Sequence, residues 1–194
     1  MSTLDLGADS RRKPAEVISD VALSEEAVAL MADCGNTLSY LHRLCDEELF
    51  HDAFLTLART LPRQYAIIWA DKCIETKAQP TLSDADKECQ QLVRQWLSNP
   101  EDGLRRQAMG KADELDFAGP CAWLAAAVGF SGGSLSPADQ QEVPPAQHLT
   151  AVAIAAGLTE LTYGEPETAA ETSRDLIDAG LEMVAIPGSS GKGH

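Results

Sequence analysis

The stretch Leu61–Cys73, LPRQYAIIWADKC, decides how the rest of the chain reads. Pro62 stands where a helix starts, since its missing N–H costs nothing in a first turn. Tyr65, Ile68, Trp69 and Cys73 then recur at helical spacing, and Ala66, Ile67, Ala70 and Ile74 widen the apolar face. Gln64, Asp71, Lys72 and Glu75 confine polarity to a narrow strip. A helix apolar around so much of its circumference belongs in the middle of a domain, wrapped by neighbours. Arg63 alone has no packing role. It reads either as half of a salt bridge to a nearby carboxylate or as a contact with something outside the domain.

Working outward, the same period recurs. "SEEAVALMADCG" gives a short helix with Ser24 as N-cap, ending at Gly35. "TLSYLHRLC" and "DEELFHDAFLTLART" form one bent helix, or two with Asp46 capping the second; Phe50, Ala53, Phe54, Leu57 and Leu61 share a face. After residue 80, Ser83 caps an amphipathic helix whose Cys89, Leu92, Val93, Trp96 and Leu97 face one way, with Asn99-Pro100 as its stop. Glu101–Leu115 is a shorter, more polar helix, and "CAWLAAAVGF" after Gly119-Pro120 is a small-residue helix built for close packing. Pro145 starts the next helix, where Ala151, Ala153, Ala155, Ala156 and Gly157 permit near contact between backbones. Glu165-Pro166 starts the last, with Ser173, Leu176, Ile177, Gly180, Leu181 and Val184 on one face.

No run alternates like a strand and no Asn-Gly or Asp-Gly hairpin lies between apolar segments. The predicted fold is therefore all-α, a single globular bundle of about eight helices, with stacked helix pairs as a variant. Residues 1–22 read as a flexible N-terminal arm, 23–187 as the helical domain and 188–194 as a disordered tail. A chain of 194 residues is long enough for a self-sufficient core.

The formal charge of −15 argues against nucleic acid, which needs clustered Lys and Arg, and against anionic membranes. No window is long and apolar enough for membrane insertion. The five cysteines are odd in number, dispersed and set in apolar surroundings, so they read as reduced core residues of a cytoplasmic protein.

Candidate chemistry fails on context. "GFSGG", Gly129–Gly133, has the spacing of a nucleophile elbow, but a helical run precedes Ser131 and a loop follows it, where a strand and a helix are required. Cys34, His42, Cys45 and His51 are four zinc-ligand types whose spacing matches no common site. "DADKE" lacks the glycine and distal glutamate of a calcium loop and reads as an acidic first helical turn. No metal and no cofactor is read from the sequence.

The long loop 131–145, SGGSLSPADQQEVPP, is the main candidate for function. Two segments there and at Leu61 also carry a likeness. Leu61, Pro62, Arg63, Ala66 and Trp69, and then Val143, Pro144, Pro145, His148, Leu149 and Thr150, resemble an uncharacterised family of proteobacterial proteins with LPRxxAxxW and VPPxxHLT motifs. Gln64 departs from it, since a second charged residue is expected after the arginine. Members of that family sometimes occur near type VI secretion genes, which implies a bacterial, cytoplasmic accessory factor. No catalytic residues are implied.

The expected function is thus a non-enzymatic interaction or adaptor protein whose partner is another protein. Its candidate binding residues are Arg63, Ser134, Pro144, Pro145 and His148. The alternative is a small-molecule-binding protein or enzyme with a pocket under the 131–145 loop, using Ser131, Ser134, His148 and Arg63.

Overall fold

Helical periodicity runs through nearly every described segment. The computed structural model describes residues 9–78, 81–137, 140–163 and 167–185, and these contain helices and no strand. A 3-10 turn at Asp9–Arg11 leads into α1 (Pro14–Val17), α2 (Glu25–Met31), α3 (Thr37–Asp46), α4 (Phe50–Thr60), α5 (Arg63–Ala78), α6 (Asp84–Ser98), α7 (Asp102–Glu114), α8 (Pro120–Gly129), α9 (Leu149–Glu160) and α10 (Ala169–Ala185). The all-α reading holds. None of these helices is long and apolar enough to cross a membrane.

Caps explain most boundaries. Ser24 accepts from the Ala27 N–H, and Ser83 forms a reciprocal capping box with Asp86. Asn36 does the same with Ser39 at the start of α3, which separates α3 from α2. Pro62 lies one residue before α5 and its carbonyl accepts from the Ala66 N–H, so proline ends the preceding loop and the helix opens at Arg63. Asp46 is the last residue of α3 and does not cap α4; Glu48 turns the chain at φ +58° and Leu49 precedes α4. Pro145 does not start α9 either. That helix begins four residues later, at Leu149. The expected start at Glu165-Pro166 and the 188–194 tail lie outside the described residues.

The segment expected to be a free arm differs over residues 9–22. Pro14, Val17 and Ile18 are buried, and α1 packs on α3 and α4. The Thr37 N–H and hydroxyl both bond the Arg12 carbonyl, which ties this segment to the start of α3.

α5 touches α4, α6, α8, α9 and α10. Its Ala66, Ile67, Trp69, Ala70, Cys73 and Ile74 are buried, whereas Tyr65 and Ile68, expected on the same apolar face, are half-buried. Asp71 is buried as well, and so leaves the polar strip assigned to it; it accepts from Gln90 at 3.0 Å and from Arg94 Nε at 2.8 Å. Arg94 Nη2 lies 3.1 Å from Glu75, a charge contact out of line for a hydrogen bond. The most enclosed helix is α8, where only Pro120 and Trp123 reach intermediate exposure. Its alanines let α7 and α9 close on both sides, and Gly157 of α9 lies against the Pro120 carbonyl.

Candidate functional site

Between α8 and α9 the described residues 130–137 and 140–148 form no regular structure. A loop of this length needs partners for its backbone groups, and α7 supplies them. Asp102 opens α7, with Arg105 and Arg106 one turn on, so all three share one side of the helix. Arg105 is buried at 4 % exposure. Its Nε donates to Asp102 at 2.7 Å, its Nη1 to the Gly129 carbonyl at 2.7 Å and its Nη2 to the Ser134 carbonyl at 2.9 Å. Arg106 donates to Asp102 at 2.7 Å and to the Ser136 carbonyl at 2.8 Å. Hydrogen bonds from Arg106 and then Arg105 hold the Asp102 carboxyl below its ordinary pKa.

Within the loop, the buried hydroxyl of Ser134 accepts from the Ser136 and Val143 N–H groups at 3.1 and 3.0 Å. The Leu135 N–H donates to the Val143 carbonyl at 2.8 Å. These bonds fold the loop back on itself and leave Leu135 and Val143 side by side in sequence pairing, 42 % and 50 % exposed. Gly133 makes this possible. It adopts φ +62°, and a Cβ there would lie 2.7 Å from Asp102 Oδ1 and 2.8 Å from Arg105 Nε.

Arg63 reaches the same loop from α5. Its Nη1 donates to the carbonyl of Ser131. Where the sequence offers a salt bridge to a carboxylate, the partner is a backbone oxygen. Pro144 is exposed, Pro145 half-buried, and His148 half-buried just before α9, with no side-chain capping bond. Ser131 is buried at the C-terminal end of α8, so "GFSGG" is a helix end and not an elbow on a strand.

Three hollows lie near these elements. One of about 350 Å3 sits under the loop against α7, lined by Arg105, Arg106, Met109, Asp113, Ser134 and Leu135. One of about 220 Å3 joins the ends of α4, α5 and α9 and includes Arg59, Arg63, Gln147 and Thr150. The largest, about 710 Å3, is an open groove along α6 lined by Gln90, Gln91, Arg94 and Gln95, away from the loop. Ser134 and Arg63 thus line different hollows, and His148 and Ser131 line none of the three.

The four zinc-ligand types do not converge. Cys34 donates to the Leu30 carbonyl, and His51 pairs with Thr159 on α9 at 3.0 Å. Among the described residues no set of three or more His, Cys, Asp or Glu is placed to hold a metal ion. Burial pushes the thiols of Cys45 and Cys89 up to about 11 and those of Cys73 and Cys121 up to about 12.

Residues 40–184 match the model of the family of unknown function DUF6931. The chain belongs to that family. The DUF6931 span contains both segments that carry the sequence likeness, the α7 arginines and every candidate binding residue from Arg63 to His148. Asp9, Asp20 and α1 precede it. No curated protein and no solved structure matches the chain.

Sequence reasoning passed over Arg105, Arg106 and Asp102, which hold the loop. The signal was present in "DGLRRQ": an acid at a helix start with arginines three and four residues on. The polarity of this helix reads as solvent exposure because nothing in the sequence places carbonyl groups opposite Arg105.

Proposed function

We propose that the chain is a non-enzymatic adaptor or accessory factor whose partner is another protein, docking on the 131–145 loop. The observation that carries this reading is the commitment of Arg105. A buried guanidinium directs its donors to Asp102 and to the Gly129 and Ser134 carbonyls where the loop leaves α8, and Arg106 and Arg63 add further anchors on the same side. Anchoring of this kind removes conformational freedom before binding, which lowers the entropic cost of association. The loop displays Leu135, Val143 and Pro144 on a rigid helical scaffold, the arrangement typical of protein-binding loops.

The sequence likeness adds a setting: a bacterial cytoplasm and an accessory role in type VI secretion. The test is purification of the tagged chain from a native bacterium. A partner recovered in stoichiometric amount, and lost with Leu135→Asp or Val143→Asp while the fold is retained, is the expected result. Recovery of no stoichiometric partner, or retention of it by both variants, would sink the proposal.

A second reading, a small-molecule site, has in its favour the 350 Å3 hollow under the loop. Its arginine donors already serve Asp102 and backbone carbonyls, so a ligand there would have to compete with the loop itself. Thermal-shift screening against metabolites distinguishes the two, since a ligand at 100 times its dissociation constant adds about 2.7 kcal/mol.

A further inference from the structure

Two polar atoms buried without a hydrogen-bond partner belong to residues of one hollow. Thr150 is 4 % exposed and its hydroxyl has no partner; Arg59 Nε is likewise buried and unpartnered. Both residues line the 220 Å3 hollow between the last turn of α4, the start of α5 and the first turn of α9. Both atoms have almost no accessible surface, so each sits just behind the wall and a side-chain rotation presents it to the hollow. Buried polar groups in native proteins are almost always satisfied, so two orphans on residues that line one hollow point to a group that completes them.

We infer that this hollow takes a carboxylate group. Arg59 and Arg63 bring two guanidinium groups to it, and Gln147 brings a side-chain amide. Arg59 Nη2 is paired with Asp20 at 2.9 Å, and Arg63 Nη1 with the Ser131 carbonyl, which fixes both side chains in place. Thr150 and Ala151 lie in the first turn of α9, whose N-cap His148 contributes no side-chain bond. The first N–H groups of a helix carry a partial positive charge that favours an anion.

The charge of the lining selects among anions. Asp9 is its one carboxylate and is held by Arg12 at 2.9 Å. With Arg59 paired to Asp20, Arg63 is the lining guanidinium left to balance an added charge, which suits a monoanion, and the overall charge of −15 works against a phosphate dianion. A planar carboxylate also matches the guanidinium fork. The volume lies below the several hundred Å3 of sites for larger ligands, so it fits a small acid or the end of a chain. Threonine in a helix uses two χ1 wells, and rotation between them exchanges methyl for hydroxyl at the wall. The two sequence segments singled out at Leu61 and Val143 meet here, through Pro62 and Arg63 on one side and Gln147 and Thr150 on the other.

The test is titration of the full chain at constant ionic strength, followed by the amide signals of Thr150 and Ala151 in two-dimensional NMR. The probes are sodium acetate, sodium propionate, sodium phosphate, sodium chloride, and a short peptide with a free or an amidated C-terminus. Saturable shifts with the monocarboxylates, weakened about tenfold or more in both Thr150→Val and Arg59→Gln, are expected, the loss of one charge-assisted bond being of that size. Stronger response to the free peptide than to its amide assigns the carboxylate to a chain end, and equal response of acetate and peptide assigns it to a free acid. Absence of saturation with every carboxylate probe, tighter binding of phosphate, or unchanged binding in Thr150→Val would each overturn the inference. Thr150→Val removes one hydroxyl at constant volume, so loss of fold does not obscure that arm.

Discussion

Trp69 donates its indole N–H to the carbonyl oxygen of Leu176, 2.8 Å away across the contact between α5 and α10. The ring also lies against Phe54, with centroids 6.3 Å apart. Gly180 approaches the same ring so closely that a Cβ there would come within 2.9 Å of it and 2.6 Å of Leu57 Cδ2. Trp69→Ala should therefore cost about 3–5 kcal/mol, as large aromatic truncations in cores do. Trp69→Phe leaves most of the packing and should lose roughly 1 kcal/mol for the hydrogen bond, plus the smaller ring volume. Gly180→Ala should also destabilise, because a buried backbone approach has no slack. Denaturant melts measure all three, and a Trp69→Ala midpoint equal to that of the parent refutes the assignment.

Much of this contact was legible in the sequence and its geometry was not. Tyr65, Ile68, Trp69 and Cys73 announce a helix face, and Leu176, Ile177 and Gly180 announce another, because burial imposes a 3.6-residue period. Which face meets which depends on pairing over long sequence separations, and periodicity carries no record of that. Polar residues mislead for the same reason. Asp71 and Arg105 fall where a solvent-facing strip is expected, yet each is buried because a partner on another element satisfies it. Pro145 misleads differently: proline permits a helix start, but the chain needs four more residues before α9 meets α8.

Asp71 gives the second prediction. Its carboxylate accepts from Gln90 and Arg94, joining α5 to α6 beneath the surface. Asp71→Ala should cost about 1–3 kcal/mol, since it withdraws the acceptor from two donors that stay partly or wholly buried. Asp71→Asn should fall between, as the amide keeps one acceptor but loses the charge. Equal stability of all three proteins in urea would show that the cluster contributes nothing.

Arg105 gives the third. Arg105→Met removes bonds to Asp102, Gly129 and Ser134, each charge-assisted bond being worth about 1.5–3 kcal/mol before relaxation and water entry. Arg105→Lys should restore little, because an ammonium on a flexible stem cannot serve three fixed acceptors in one plane. Hydrogen exchange at Leu135 and Val143 should rise in both variants, and unchanged protection would show that the loop holds itself. Acid acts on the same anchor. Asp102 has its carboxyl lowered by Arg106 and Arg105, so its contribution is complete above its ordinary 3.8 and is lost as pH falls through the lower folded value.

The raised thiols predict the alkaline limit. Folding raises Cys45 and Cys89 to about 11 and Cys73 and Cys121 to about 12 from an ordinary 9.0, with burial the largest cause in each. A raised acid keeps its proton in the fold while the unfolded chain releases it. Stability is therefore full below about pH 9 and declines as pH rises through the folded values. At neutral pH the buried Cys73, Cys89 and Cys121 should resist iodoacetamide until the chain unfolds. Rapid alkylation of these three in the folded protein, or stability unchanged at alkaline pH, would contradict the burial described.

The last prediction separates display from packing. Leu135 and Val143 are paired through their backbones, and their side chains stand 42 % and 50 % exposed. Leucine and valine at the core of a domain cost several kcal/mol when replaced by a charge, whereas exposed positions change stability by about 0.5 kcal/mol or less. Leu135→Asp and Val143→Asp should accordingly melt within that margin of the parent. Their backbone bond and the Ser134 hydroxyl contact involve no side-chain atom of either residue, so the loop should keep its shape. A large loss of stability in either variant would mean that the side chain packs inward. The loop would then be a cover for α7, and its apolar residues would be unavailable to a partner.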